Sequence, residues 1–247
     1  FTVRGAPTWS PDGTRLAILT SPTPLIRDER REAFIVTVAD GTKETVSAPP
    51  GMLVQGTPAW SPDGRTLAFG AITSQWKGNE DGITPRSLTN TNLVLYDVAT
   101  KGAREVTSKV YDNSVGALRW TPDGRTIHFT AQDRVYGSVF AFDVAAGTVT
   151  PLTRQLMVRQ PSYASDGRTV AFAMESATQP AEVHVSDASF TAPRRLTSTN
   201  PQLAAIALGE AEVVTWKSTD GWTVEGILLK PVGYKAGLTN PAVQKRF

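Results

Sequence analysis

The chain has 247 residues and no cysteine, which excludes disulfides, thiolate zinc sites and cysteine nucleophiles and fits either a cytoplasmic or a periplasmic setting. Lysine and arginine number 25 against 23 acidic residues, and a net charge of +2 gives no electrostatic case for a nucleic-acid partner. Hydrophobic residues make up 40%, an ordinary globular share, yet no run approaches the roughly 18 consecutive apolar residues of a membrane helix.

The first predicted element is the phrase APTWSPDGTRLAIL, Ala6 to Leu19. It returns as TPAWSPDGRTLAF from Thr57 to Phe69, as ALRWTPDGRTIHF from Ala117 to Phe129, and as QPSYASDGRTVAF from Gln160 to Phe172. The turn aspartates Asp12, Asp63, Asp123 and Asp166 are 51, 60 and 43 residues apart, a period that marks repeated supersecondary units. Pro11, Pro62 and Pro122 preset φ for the first central turn position, the aspartate bonds local amides, and the following glycine tolerates positive φ. The alternating run after each turn has the two-residue period of a half-buried strand.

A second phrase follows each first one: FIVTVAD from Phe34, LVLYDV from Leu93, VFAFDV from Val139 and VHVSD from Val183. A short strand ending in Thr or Ser comes next, as ETVS, REVTS, VTPLT and RRLTS. Strand, Asp-Gly turn, strand, variable loop, strand, turn, strand is the plan of a four-stranded antiparallel β-propeller blade of about 45 residues. The fold class is therefore all-β, with about four blades here as part of a larger seven- or eight-bladed ring. Trp9, Trp60, Trp120 and Tyr163 are expected to be the aromatic wedges, the three tryptophans buried between blades. One aspartate per turn does not supply the clustered oxygens of a calcium site, so the aspartates read as turn caps and no metal or other cofactor is implied.

Because strands alternate in direction, the second-to-third-strand loops and the blade-to-blade loops share one face. The long insertions Ser21 to Ala33 and Ile72 to Asn92 are both second-to-third-strand loops, where binding tends to reside. Arg27 and Arg30 lie in the first and suit a carbonyl or carboxylate, although the mixed run RDERRE also reads as a solvated loop. Trp76 and Glu80 lie in the second, with a local loop anchor as the competing reading of Trp76. The blade-to-blade loop SKVYDNSV, Ser108 to Val115, adds Tyr111 and Asp112.

After the fourth repeat the pattern changes to NPQLAAIALGEAEVVTWKSTDGWTVEGILLKP, Asn200 to Pro231, then VGY. A blade ending in RRLTSTN followed by WKSTDG, TVEGILLKP and GY resembles the junction of the prolyl oligopeptidase family of serine peptidases, above all its acylaminoacyl-peptidase and dipeptidyl-peptidase branches. The resemblance implies blades over residues 1–200, a linker over 201–211 and the first strands of an α/β-hydrolase domain over 212–247. It implies a propeller that gates and filters short peptide substrates for the hydrolase domain of the same protein, and it leaves homo-oligomerisation open. The family's chemistry needs a nucleophile elbow of the Gly-x-Ser-x-Gly kind with later Asp and His partners. No serine here is so flanked, and the two histidines, His128 and His184, fall inside predicted strands, so no catalytic residue is assigned to this stretch.

In dipeptidyl peptidases a similarly placed Tyr precedes two glutamates that capture a free amino terminus. Tyr111 here precedes Asp112 and Asn113, a single acid, which departs from dipeptide-releasing specificity; Asp112 stands as a candidate amine anchor against a plain turn residue. The alternative to a peptidase is a stand-alone TolB-like propeller that binds protein partners. If Glu212 to Pro231 packs as strands of a second domain, the peptidase reading stands, and if it closes the ring as a final blade strand, the scaffold gains. A glycan-cleaving propeller would need paired carboxylates facing one pocket, which Asp28, Glu29, Glu80 and Asp81 do not establish.

Overall fold

The computed structural model describes residues 2–21, 31–73 and 90–235. Four antiparallel sheets of four strands run in chain order. The first holds β1 (Thr2–Trp9), β2 (Arg15–Ser21), β3 (Glu32–Thr37) and β4 (Lys43–Val46). The second holds β5 (Met52–Trp60), β6 (Thr66–Thr73), β7 (Asn92–Asp97) and β8 (Ala103–Glu105). The third holds β9 (Leu118–Trp120), β10 (Thr126–Asp133), β11 (Tyr136–Asp143) and β12 (Thr148–Pro151), and the fourth β13 (Met157–Tyr163), β14 (Thr169–Ser176), β15 (Gln179–Asp187) and β16 (Arg194–Arg195). These are the four blades that the repeats predict, and both insertions connect a second strand to a third.

The first-to-second-strand turns close as their chemistry requires. Asp12 accepts from the Ser10 hydroxyl at 2.6 Å and the Thr14 amide at 3.1 Å. Asp63 repeats this with Ser61 and Arg65, and Asp123 with Thr121 and Arg125. The same hydroxyls accept the amides of Arg15, Thr66 and Thr126, which tie the turn to the strand that leaves it. In the fourth blade Ala164 stands in place of the hydroxyl residue, and Asp166 keeps only the Arg168 amide, at 2.9 Å. Gly13, Gly64, Gly124 and Gly167 all have φ between 66° and 71°, the left-handed region that a β-carbon disfavours. These bonds to the ionised carboxylates, the Ser10 hydroxyl foremost, pull Asp12 down to about 2.

The wedges obey a positional rule. The Trp60 indole donates to the carbonyl of Thr8 at 3.1 Å, and the Trp120 indole donates to the carbonyl of Ala59 at 3.1 Å. Each tryptophan thus bonds the residue just ahead of the aromatic in the blade before it. Both are buried, at 8% and 7% exposure, and Arg15 lies over the Trp60 ring at 4.9 Å. Trp9 departs from the expectation of burial: it is 59% exposed. It heads the first described blade, so no blade among the described residues precedes it to offer a carbonyl and an apolar face.

The chain divides into two compact units. The first, residues 1–132 with 138–154, has two apolar clusters, one around Leu67, Phe69 and Tyr96 and one around Trp120, Phe129 and Phe142. The second comprises residues 133–137 and 155–247. Its fourth blade packs Phe172 on Phe190 at 5.2 Å, with Tyr163 meeting Phe190 edge-on at 6.4 Å.

After β16 the chain makes a 3₁₀ turn (Pro201–Ala205) and then β17 (Ala211–Lys217) and β18 (Thr223–Leu229). These two strands pair in register from Ala211↔Leu229 to Lys217↔Thr223, and among the described residues they pair with no blade strand. Trp216 and Trp222 on this hairpin are 50% and 73% exposed. No α-helix and no parallel strand pair occurs among the described residues, so the expected start of an α/β-hydrolase domain is not visible there. No helix among them is long and apolar enough to cross a membrane.

Candidate functional site

The Thr near the end of the second, third and fourth blade phrases has a defined task. Thr107, Thr153 and Thr197 each lie 14 residues after a third-strand residue and accept its amide through Oγ1: Leu93, Val139 and Val183, all at 2.9 Å. The residue just ahead of that amide therefore faces the same hydroxyl, and there the blades differ. In the second blade it is Asn92, which the Thr107 hydroxyl reaches at 3.4 Å. In the third it is Ser138, whose buried hydroxyl has no hydrogen-bond partner among the described residues. In the fourth it is Glu182, a carboxylate.

Glu182 is 5% exposed and heavily bonded. It accepts from the hydroxyl of Thr197, from the amide and hydroxyl of Thr199 at 2.8 and 3.1 Å, and pairs with Arg195 at 3.0 Å. These donors, Thr197 first, hold its carboxyl down at about 2 against the burial that opposes ionisation. Since Thr197 and Thr199 begin the segment that leaves the blade, Glu182 fixes the direction of that exit.

A cleft of about 1120 Å³ opens in the second unit beside this network. It gathers the kinds of connection that the alternating strands single out. Val135 and Tyr136 come from the β10–β11 turn, Gln155 and Leu156 from a blade-to-blade loop, and Ser176 to Gln179 from the β14–β15 turn. The exit segment from Ser198 to Val213 forms the remaining wall. Four carboxylates border it: Glu175 paired with Arg159 at 2.5 Å, Glu182 with Arg195, Glu212 with Lys230 at 2.7 Å, and Glu210, which makes no ion pair among the described residues. Arg134, at the β10–β11 turn, pairs with Glu225 of β18.

Of the residues singled out by sequence, Arg27, Arg30, Trp76 and Glu80 lie outside the described residues. Tyr111 is half-buried in the first unit, edge-on to Phe129 at 5.3 Å and tilted on Phe140 at 5.1 Å, so its ring packs as part of the third-blade core. Asp112 beside it is exposed and accepts from the Asn90 side chain at 3.2 Å. The two are adjacent in sequence, yet one faces the core and the other solvent. His128 sits in β10, and burial pushes its imidazole below the usual range. His184 sits in β15, stacked on Phe172 at 6.0 Å, and borders the cleft. Sequence reasoning missed Glu182 and Glu210. Aligning VHVSD with LVLYD and VFAFD puts Glu182 level with Asn92 and Ser138, a signal that was present; nothing in the repeat marks Glu210.

No protein-family model matches the chain. Among solved structures it is similar to TolB from Acinetobacter baumannii, with 20% identity over 91% of this chain and 51% of that one, TM-score 0.57. It is similar to a Pyrococcus horikoshii acylaminoacyl peptidase, with 16% identity over 96% of this chain and 34% of that one, TM-score 0.65. A Mycobacterium tuberculosis puromycin-hydrolyzing peptidase gives 16% identity, 96% and 35% coverage, and TM-score 0.64. The chain spans about half of the first and about a third of the other two. At these identities the likeness shows the fold alone, that of β-propeller blades.

Proposed function

We propose that this chain is the propeller portion of a serine peptidase of the prolyl oligopeptidase family, and that its blades gate and filter short peptides for a hydrolase domain of the same protein. The observation that carries this reading is the pairing of β17 and β18. After the fourth blade the chain leaves through the Glu182 network and forms strands that join no blade. An isolated two-stranded hairpin is marginal in water, and Trp216, Trp222, Leu228 and Leu229 leave it largely apolar and uncovered. A following domain supplies the cover. The likeness to two peptidase structures over 96% of this chain agrees with a junction that runs past the blades.

Within this reading the catalytic serine, aspartate and histidine belong to the hydrolase domain, which carries acyl transfer to serine and then to water. Arg27, Arg30, Trp76, Glu80 and Asp112 are proposed contacts on the loop face, Asp112 exposed and bonded by the Asn90 side chain beside the core-packed ring of Tyr111. The test is size selection by the longer protein. It is expected to cleave short peptides and spare a folded protein carrying the same sequence; equal rates on both would overturn the gating role. The likeness to TolB supports a second reading, a scaffold for protein partners, and that reading gains if the longer protein hydrolyses no peptide.

A further inference from the structure

The fourth-blade cleft presents one buried nitrogen whose role is fixed by its neighbour. His184 is 7% exposed, and its Nδ1 lies 2.9 Å from the carbonyl oxygen of Glu182. A carbonyl only accepts, so Nδ1 carries the proton and Nε2 carries the lone pair. Nε2 has no partner among the described residues, and it is not one of the polar atoms sealed from solvent. The ring borders the cleft, so a cleft ligand can reach this acceptor.

The rest of the lining asks for the same chemistry. Glu210 is a second acceptor; it makes no ion pair among the described residues, and the Lys230 ammonium in its field is held by Glu212 at 2.7 Å. The only guanidinium on the lining is Arg195, already engaged by Glu182 at 3.0 Å and by the Thr197 carbonyl at 2.6 Å. Among the described lining residues an anion finds no cation that is not already engaged. A metal ion finds no group of three ligating His, Asp or Glu side chains among the described residues. Met157, Met174, Leu203 and Ile206 give the cleft apolar walls.

We infer that this cleft binds a primary alkylammonium group on an apolar stem, with His184 Nε2 and the Glu210 carboxylate as its acceptors. The amino terminus of a peptide and the side chain of a lysine share that chemistry. The inference rests on the peptide-substrate reading for its ligand class, but the site lies in the second unit and does not use Asp112.

The experiment is calorimetric titration of the 247-residue chain with three probes: Phe-Ala amide, N-acetyl-Phe-Ala amide and N-acetyl-Lys-Ala amide. Saturable binding of the first or third is expected, at least about tenfold tighter than the second, because a charge-assisted bond is lost on acetylation. The preferred probe identifies whether terminus or side chain is taken. Glu210→Gln, on an exposed segment, is expected to weaken the amine probe several-fold and leave the neutral one unchanged. His184→Gln, with folding checked by circular dichroism, is expected to do the same, and Asp112→Asn to change nothing. Equal affinity for amine and acetylated probes, no saturable binding, or a preference removed by Asp112→Asn and kept in Glu210→Gln would overturn the site. Cleavage by the longer protein is a separate readout, so the peptidase reading stands or falls independently.

Discussion

The same aromatic phrase sits in two environments within the first unit. Trp60 and Trp120 head blades with a predecessor and are buried at 8% and 7%; Trp9 heads the first described blade and is 59% exposed. The residues around them are nearly identical, so the phrase does not encode burial of its own tryptophan. It encodes one half of a joint, completed by a backbone carbonyl and an apolar face on the blade before.

The largest expected effect separates those two environments. Trp60→Ala removes a buried ring and its bond to Thr8, and should lower unfolding stability by about 3–5 kcal/mol in urea titrations, against less than about 1 kcal/mol for Trp9→Ala. Comparable losses for the two variants would break the comparison. Next in size is Thr107→Val. It strands the buried Leu93 amide and should cost about 1–3 kcal/mol, whereas Thr107→Ser should keep most of that stability. The turns sharpen the contrast at a smaller scale. Ser61→Ala should cost about 1 kcal/mol, and Ala164→Ser, which gives the fourth blade the missing hydroxyl, should return stability of similar or smaller size.

The last contrast is one of pH. Glu182 is held at about 2 in the folded chain against an ordinary value of 4.5, so the stability it contributes is complete above 4.5. That contribution falls as pH drops from 4.5 toward 2. Glu182→Gln should therefore be less stable than the parent near neutrality, and the difference should shrink across this acid window. A gap that stayed constant down to about 2 would show that the carboxylate's charge is not what holds the exit segment.

The strand plan and the turns were legible because they are local. A Pro-Asp-Gly turn between alternating runs carries its own geometry, and four copies in the same order leave one architecture that fits. The exposure of Trp9 was not legible, because it depends on a neighbouring blade rather than on the residues beside it. The Thr or Ser endings were visible as a pattern, but their purpose required the 14-residue partner across β7–β8 and its equivalents. Glu182 was readable in principle, by alignment with Asn92 and Ser138. The cleft was not: it depends on the path taken by residues 198–213, where no repeat constrains the chain. Tyr111 shows the same limit, since the loop sequence does not tell which of two adjacent residues turns inward.

The most direct test of the central claim is to react the longer protein and this 247-residue chain side by side with a fluorophosphonate probe and map the adduct by mass spectrometry. The account expects one modified serine, outside these 247 residues, and an unmodified chain here. An adduct on a serine of this chain, or a longer protein that never reacts, would contradict it.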